Sequence, residues 1–205
     1  MHYKLTEEII NLSESKLWES AKLEWNFEYA YQSEQAQTCL CGHSPISNIC
    51  IIKNFKNLIE TEVGNCCVNK FIGIDEGNKI FLSIKKIKND RTKSISLEVI
   101  EYLKKKKIID QIEFRFYIDI LRKRNLSYKQ LEFKKKINQK FVDFTSSEKN
   151  SHLTKINLVL KWSEKNTWFD KSFVNSLKIS CSKRGKLTES QSIALENIIA
   201  KLNVK

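Results

Sequence analysis

Proline occurs once in this 205-residue chain and glycine five times, too few to punctuate a fold built mainly of short strands and tight turns. Long helices are therefore expected to outnumber strands. No apolar run approaches the roughly 18 residues that span a bilayer, and Met1-His2-Tyr3-Lys4-Leu5-Thr6-Glu7-Glu8 lacks the apolar stretch of a secretory leader. The expected compartment is the cytoplasm, with no membrane association, where cysteines stay reduced. Only three histidines are present, His2, His43 and His152, which leaves few candidates for imidazole acid–base catalysis. Nucleophile-elbow and phosphate-loop glycine patterns are missing; Gly73-Ile74-Asp75-Glu76-Gly77-Asn78-Lys79 has the wrong spacing.

What is there is apolar enough to fold: 41% hydrophobic residues, with 11 Phe, 6 Tyr and 4 Trp. The net charge of +12 is unevenly spread. Residues 1–78 carry 6 Lys against 11 Asp and Glu, whereas residues 79–205 carry 30 Lys and Arg against 13 Asp and Glu. A basic half of this kind attracts polyanions, nucleic acid above all. An AT-rich genome would also enrich Lys, Ile and Asn. Arginine is scarce, at Arg91, Arg115, Arg122, Arg124 and Arg184, so contacts should go to phosphate and depend on salt rather than read bases.

Five of the six cysteines fall within about 30 residues: Cys39, Cys41, Cys50, Cys66 and Cys67, with His43 among them. Soft thiolates clustered beside an imidazole suit tetrahedral Zn²⁺. Gly42 permits the turn that aims Cys39 and Cys41 at one ion, and Cys67 approaches from a helix end, where the dipole favours a thiolate. The fourth position is open between Cys50 and His43, with Cys66 behind them. Thiolates dominate and His43 is followed by Ser44-Pro45, not by the Glu of a nucleobase deaminase, so a structural ion is expected. A metal-dependent nuclease using Asp75, Glu76 or Asp90 is the least favoured alternative. Cys181, isolated, reads as a core residue.

The expected fold is α+β, mainly α. The stripe Leu17, Trp18, Ala21, Trp25 and Tyr29 predicts helix through residues 6–36, and Asn48 to Asn54 and Ile59 to Val63 predict strands about a turn at 55–58. Asn65 caps a helix beginning near Cys66. Knuckle, β-hairpin and helix in that order describe a treble-clef-like zinc module. Ser94 or Ser96 and Asp110 are candidate caps for the next helices, and Ile112, Phe116, Tyr117, Ile120 and Leu121 for an apolar face. Residues 79–84 admit helix or strand.

An internal repeat follows. Arg124-Asn125-Leu126-Ser127-Tyr128-Lys129-Gln130 matches Arg184-Gly185-Lys186-Leu187-Thr188-Glu189-Ser190-Gln191. Each holds a capping box, Ser127 with Gln130 and Thr188 with Gln191. The repeat predicts two helical hairpins, or helix-turn-helix-like units with cations at the turn. The organisation expected is residues 1–78 for the N-terminal helix and zinc module, 79–142 for a first basic hairpin and 155–205 for a second, with 143–154 as linker.

Glu24-Trp25, Cys39-x-Cys41-Gly42-His43-x-Pro45-Ile46, Ile49-Cys50 with Asn54, and Val63-Gly64-Asn65 with Cys67 and Phe71 resemble a family of largely uncharacterised small proteins from phages and bacteria. In that family the cysteine block looks like a zinc finger, accompanied by a downstream pattern matched here by Phe116-Tyr117 and Arg124 to Gln130. Arg184 to Gln191 is similar to a helical tail of DNA-metabolism and mobile-element proteins. Cys66 departs from the family, which is usually apolar there. The resemblance implies a zinc module and nucleic-acid work.

Three functions are consistent with these residues. The first is a zinc-binding protein gripping phosphates with Lys104, Lys105, Lys106, Lys107, Arg122, Lys123, Arg124, Lys134, Lys135, Lys136, Lys183, Arg184 and Lys186, with Tyr128 and Trp168 as candidate stacking surfaces. The second is a zinc-stabilised adaptor docking a protein partner on the acidic N-terminal half. The third is the nuclease.

Overall fold

In the computed structural model the helical stripe expected over residues 6–36 gives way to a strand at Trp25. The structure describes residues 3–72 and 76–203. Two short helices, α1 (Tyr3–Asn11) and α2 (Trp18–Ala21), and a 3-10 turn at Lys22–Glu24 precede strand β1 (Trp25–Gln37). The helix expectation fails from Trp25, where Trp25, Phe27, Tyr29 and Tyr31 also fit the strand period and antiparallel pairing with β2 selects it. Register irregularities lie between Phe27 and Tyr29 and between Gln32 and Gln37.

The chain forms two compact units, Met1–Lys86 and Ile87–Lys205. In the first, β1, β2 (Ile46–Asn54) and β3 (Glu60–Gly64) make an antiparallel sheet in sequence order. The hairpin predicted from the sequence is present, and so are helices α3 (Asn65–Ile72) and α4 (Glu76–Asn89), which makes the 79–84 segment helical. β2 is the central strand, and its continuous run Ile49, Cys50, Ile51, Ile52 is buried on both faces. Ile49 and Ile51 cluster with Tyr31 on one face, while α3 packs against all three strands.

A buried carboxylate ties this unit together. Glu24 accepts the backbone N–H of Glu14 (2.9 Å) and Ser15 (3.0 Å), the Asn54 side-chain amide (2.9 Å) and the Lys56 ammonium (3.1 Å). Asn54 in turn receives the N–H of Lys56 and Asn57 at the hairpin turn, and Asn57 donates to the Leu12 carbonyl. Burial opposes ionisation of Glu24, but these donors outweigh it and hold the carboxyl down at about 2, against 4.5 ordinarily.

The second unit is helical: α5 (Leu97–Lys105), α6 (Gln111–Ile120), α7 (Tyr128–Phe144), α8 (Ser147–Glu164), α9 (Ser172–Arg184) and α10 (Glu189–Leu202). Ser127/Gln130 and Thr188/Gln191 form the expected capping boxes, and Asp110 forms a third with Glu113. Ser96 occupies the N-cap of α5 without a side-chain bond, while Ser94 accepts from Lys134 instead. α6 and α7 meet antiparallel through Phe116 on Phe133 (4.7 Å between centroids), Tyr117 Oη donating to Asn138 (2.6 Å) and the Lys140–Glu113 ion pair (2.6 Å). Of the apolar face expected on α6, Tyr117 and Ile120 are buried and Ile112 is exposed.

The expected linker at 143–154 is a correction. Ser146 caps α8 by accepting the Lys149 N–H (3.2 Å), and residues 147–154 continue as helix. The α8 face Ile156 and Val159 builds a core with Val174, Leu177, Cys181 and Leu195, so this segment is a packing element rather than a tether. Gly185 adopts φ +77°, and a Cβ there would lie 2.6 Å from the Asp143 carbonyl carbon and the Phe144 nitrogen. The α9–α10 turn is thus pressed against the C-terminal end of α7.

Candidate metal centre

A four-residue turn, a hairpin end and a helix start converge on three sulfurs. The Gly42 N–H donates to the Cys39 carbonyl (2.7 Å) and the Cys39 N–H to the His43 carbonyl (2.9 Å). Gly42 has φ +86°, a conformation costly for residues with a Cβ. This turn aims Cys39 and Cys41 the same way, while Cys67 arrives from the first turn of α3. The three sulfurs lie within 4.8 Å of one another, all buried, with Cys39 and Cys67 3.6 Å apart. This cluster can hold a metal ion.

The electrostatics are those of a partly formed thiolate site. The sulfur–sulfur hydrogen bond with Cys67, with the N–H groups of Gly64 (3.2 Å) and Cys41 adding to it, holds the Cys39 thiol below the ordinary thiol range despite burial. The neighbouring Cys39 sulfur, and then burial, drive Cys67 upward. One thiolate is therefore already favoured, and a cation would displace the protons held by its neighbours.

The predicted ligands do not all gather. Cys50 is fully buried in β2 and is not among the three sulfurs that lie within 4.8 Å of one another; a Cβ on Gly77 would meet its sulfur at 3.3 Å and Val68 at 3.5 Å. Burial, with Cys39 and Cys66 nearby, pushes its thiol up to about 12. Among the described residues the close sulfur cluster holds Cys39, Cys41 and Cys67 without Cys50, the leading candidate for the fourth ligand. His43 and Cys66 are exposed and line the same cavity of about 420 Å³ as the three sulfurs, together with Asn65 and Lys70. Cys181 sits in the helical core, as expected.

The basic residues sort by exposure. Lys105, Lys107, Arg122, Lys123, Arg124, Lys136, Lys183, Arg184 and Lys186 are exposed, and Lys104, Lys106 and Lys135 are half-buried, Lys135 paired with Glu132. Lys186 lies 3.9 Å from Asp143. Lys134 departs from the expectation: it is 6% exposed and bonds Ser94 Oγ at 2.9 Å. Its position three, four and seven residues before Ile137, Asn138 and Phe141 places it on the core face of α7. Among the nuclease candidates, Asp90 accepts from both the backbone and the hydroxyl of Thr92, and Asp75 and the Glu76 side chain lie outside the described residues.

The Glu24 anchor was missed by the sequence reading, because its four donors come from separate segments. Among the described residues no helix is long and apolar enough to cross a membrane. Comparison of the chain with known protein families, curated proteins and solved structures finds no match.

Proposed function

We propose that this is a zinc-stabilised nucleic-acid-binding protein, in which a treble-clef-like module fixes the first unit and the basic second unit grips phosphates. The observation that carries the metal reading is the convergence of Cys39, Cys41 and Cys67 from a turn and a helix start. Zn²⁺ matches an all-thiolate donor set with a fourth position available to His43 or Cys66. The phosphate reading is supported by residues 87–205, where 27 Lys and Arg face 13 Asp and Glu, a net of +14. Arg122, Lys123 and Arg124 stand exposed in one capped turn, and Lys183, Arg184 and Lys186 in the other. The family resemblance adds a phage, mobile-element or DNA-metabolism setting and a role as accessory protein rather than enzyme.

Elemental analysis of the purified chain together with its 260/280 nm absorbance ratio tests both halves at once. About one zinc per chain and nucleic acid that washes off near 0.5 M salt are expected. A metal-free folded protein removes the zinc reading, and binding indifferent to salt removes the phosphate-led one.

A protein-adaptor role has its own support in the exposed apolar side chains Leu23 and Phe55, whose segments are joined by the Phe55 N–H bond to the Glu24 carbonyl (2.9 Å). A stoichiometric protein partner retained after nuclease treatment, with no nucleic acid, would favour it.

A further inference from the structure

The loop between α8 and α9 carries an aromatic group that phosphate contacts do not use. Trp162, in the last turn of α8, meets Trp168 at 5.8 Å and Phe169 at 5.8 Å, each with ring planes at 89°. Trp168 and Phe169 meet at 6.2 Å and 84°. Three mutually perpendicular rings satisfy the edge-to-face preference at every contact. Phe169 roots the group by packing on the core around Leu177.

Trp168 itself is 73% exposed. The loop that bears it is braced. The Lys165 N–H donates to the Trp162 carbonyl (3.2 Å), Asn166 to Ser163 (3.3 Å) and Phe169 to Asn166 (3.1 Å), and the Asn166 side chain also bonds the Trp162 carbonyl (2.9 Å). An indole presented on such a loop loses little further freedom when something stacks on it. Leaving it in water forgoes the stabilisation that burial of so large an apolar side chain contributes.

The surroundings indicate which partner fits. Lys161, Lys165 and Lys171 flank the group and are exposed. Of the two acids nearby, Glu164 is exposed and Asp170 is engaged by the Ser172 N–H (2.8 Å). An exposed indole with three exposed lysines within seven residues of it along the chain, on a unit of net charge +14, complements a ligand with π-faces and a polyanionic backbone. Duplex bases are already stacked on one another; unpaired bases offer a free face.

We propose that Trp168 is a stacking platform for a base of single-stranded nucleic acid, with Lys161, Lys165 and Lys171 meeting the flanking phosphates. This rests on the nucleic-acid reading above and narrows its ligand class from phosphate polymers in general to single strands.

The test is fluorescence anisotropy on the full chain with a labelled oligothymidylate of about 20 nucleotides, longer than one binding site, and with a duplex of equal length. Trp168→Ala should weaken single-strand binding about ten-fold with an unchanged salt slope and unchanged duplex affinity, and Trp168→Phe should recover most of the loss. Circular dichroism melts of the variants separate loss of the platform from loss of the fold. If Trp168→Ala binds the oligothymidylate as the parent does, or loses both ligands equally, the platform is wrong while salt-sensitive binding by the parent keeps the phosphate reading. If the parent binds neither ligand, both fall.

Discussion

The backbone N–H of Gly64 points at the sulfur of Cys39 from 3.2 Å, so the last residue of the β-hairpin supports the ligand supplied by the turn. The next two residues after Gly64 begin α3 and lead directly to Cys67, 3.6 Å from the same sulfur. An ion held by Cys39 and Cys67 would therefore couple its binding to the seating of α3 on the sheet.

Cys39→Ser or Cys67→Ser should reduce bound zinc from about one per chain to a small fraction, because two thiolates rarely hold a structural ion alone. Cys50→Ala should keep its metal and lose only about 1 kcal/mol from the small cavity left behind. Elemental analysis and denaturant titration of the three variants separate a ligand from a core residue.

Chelation provides a second handle on the same coupling. Because a folded module and its ion stabilise each other, stripping the metal should lower the thermal midpoint of the parent. Cys67→Ser should melt at the same temperature with or without chelator. Differential scanning fluorimetry reads both; an unchanged parent midpoint means that the ion is not part of the fold.

Acid sensitivity should trace to Glu24. Its carboxyl titrates near 2 in the folded chain and 4.5 ordinarily, so the unfolded chain takes up the proton first as pH falls. The stabilisation is complete above 4.5 and is lost as pH drops toward 2. Glu24→Gln should be less stable than the parent at neutral pH, and the gap should close in acid. Chemical denaturation across pH 3–7 gives the difference curve, and a constant gap would mean that the ionised carboxylate is not the anchor.

Gly185→Ala should cost at least about 2 kcal/mol, from left-handed strain together with a clash against main chain that cannot swing aside. The Cβ would sit 2.6 Å from the Phe144 nitrogen. Denaturant midpoints check the loss, and a near-neutral result would mean that the α9–α10 turn does not rest on α7.

Neutralising Arg122, Lys123 and Arg124 should flatten the salt dependence of nucleic-acid binding by roughly one log unit per phosphate contact removed. Lys134→Met should leave that slope intact and change stability instead, since its ammonium is spent on Ser94. Affinity measured over a salt series distinguishes them.

Local chemistry was legible in the sequence. Each capping box lies within four residues, so Ser127 with Gln130 and Thr188 with Gln191 could be read without knowing the fold. The hairpin was equally plain, since its strands alternate or run apolar about a polar turn. β1 was not, because Trp18, Ala21, Trp25 and Tyr29 fit a helix stripe as well as Trp25, Phe27, Tyr29 and Tyr31 fit a strand. Only pairing with β2 decides between them. The same dependence hid the place of Cys50: its number in the sequence says that it is near the other cysteines, and the fold leaves it out of the close sulfur cluster. Lys134 was read as a surface charge from composition, although its distance from Ile137 and Phe141 already put it on the inner face.

The seat of Gly185 on the end of α7 also sets a ruler. One cationic corner precedes Tyr128 and the other rests beside Asp143, so the full length of α7 separates them, about 25 Å at 1.5 Å per residue. A double helix advances 3.4 Å per step along each strand. A straight duplex long enough to reach both corners would therefore need about seven steps, and a shorter one would reach only one.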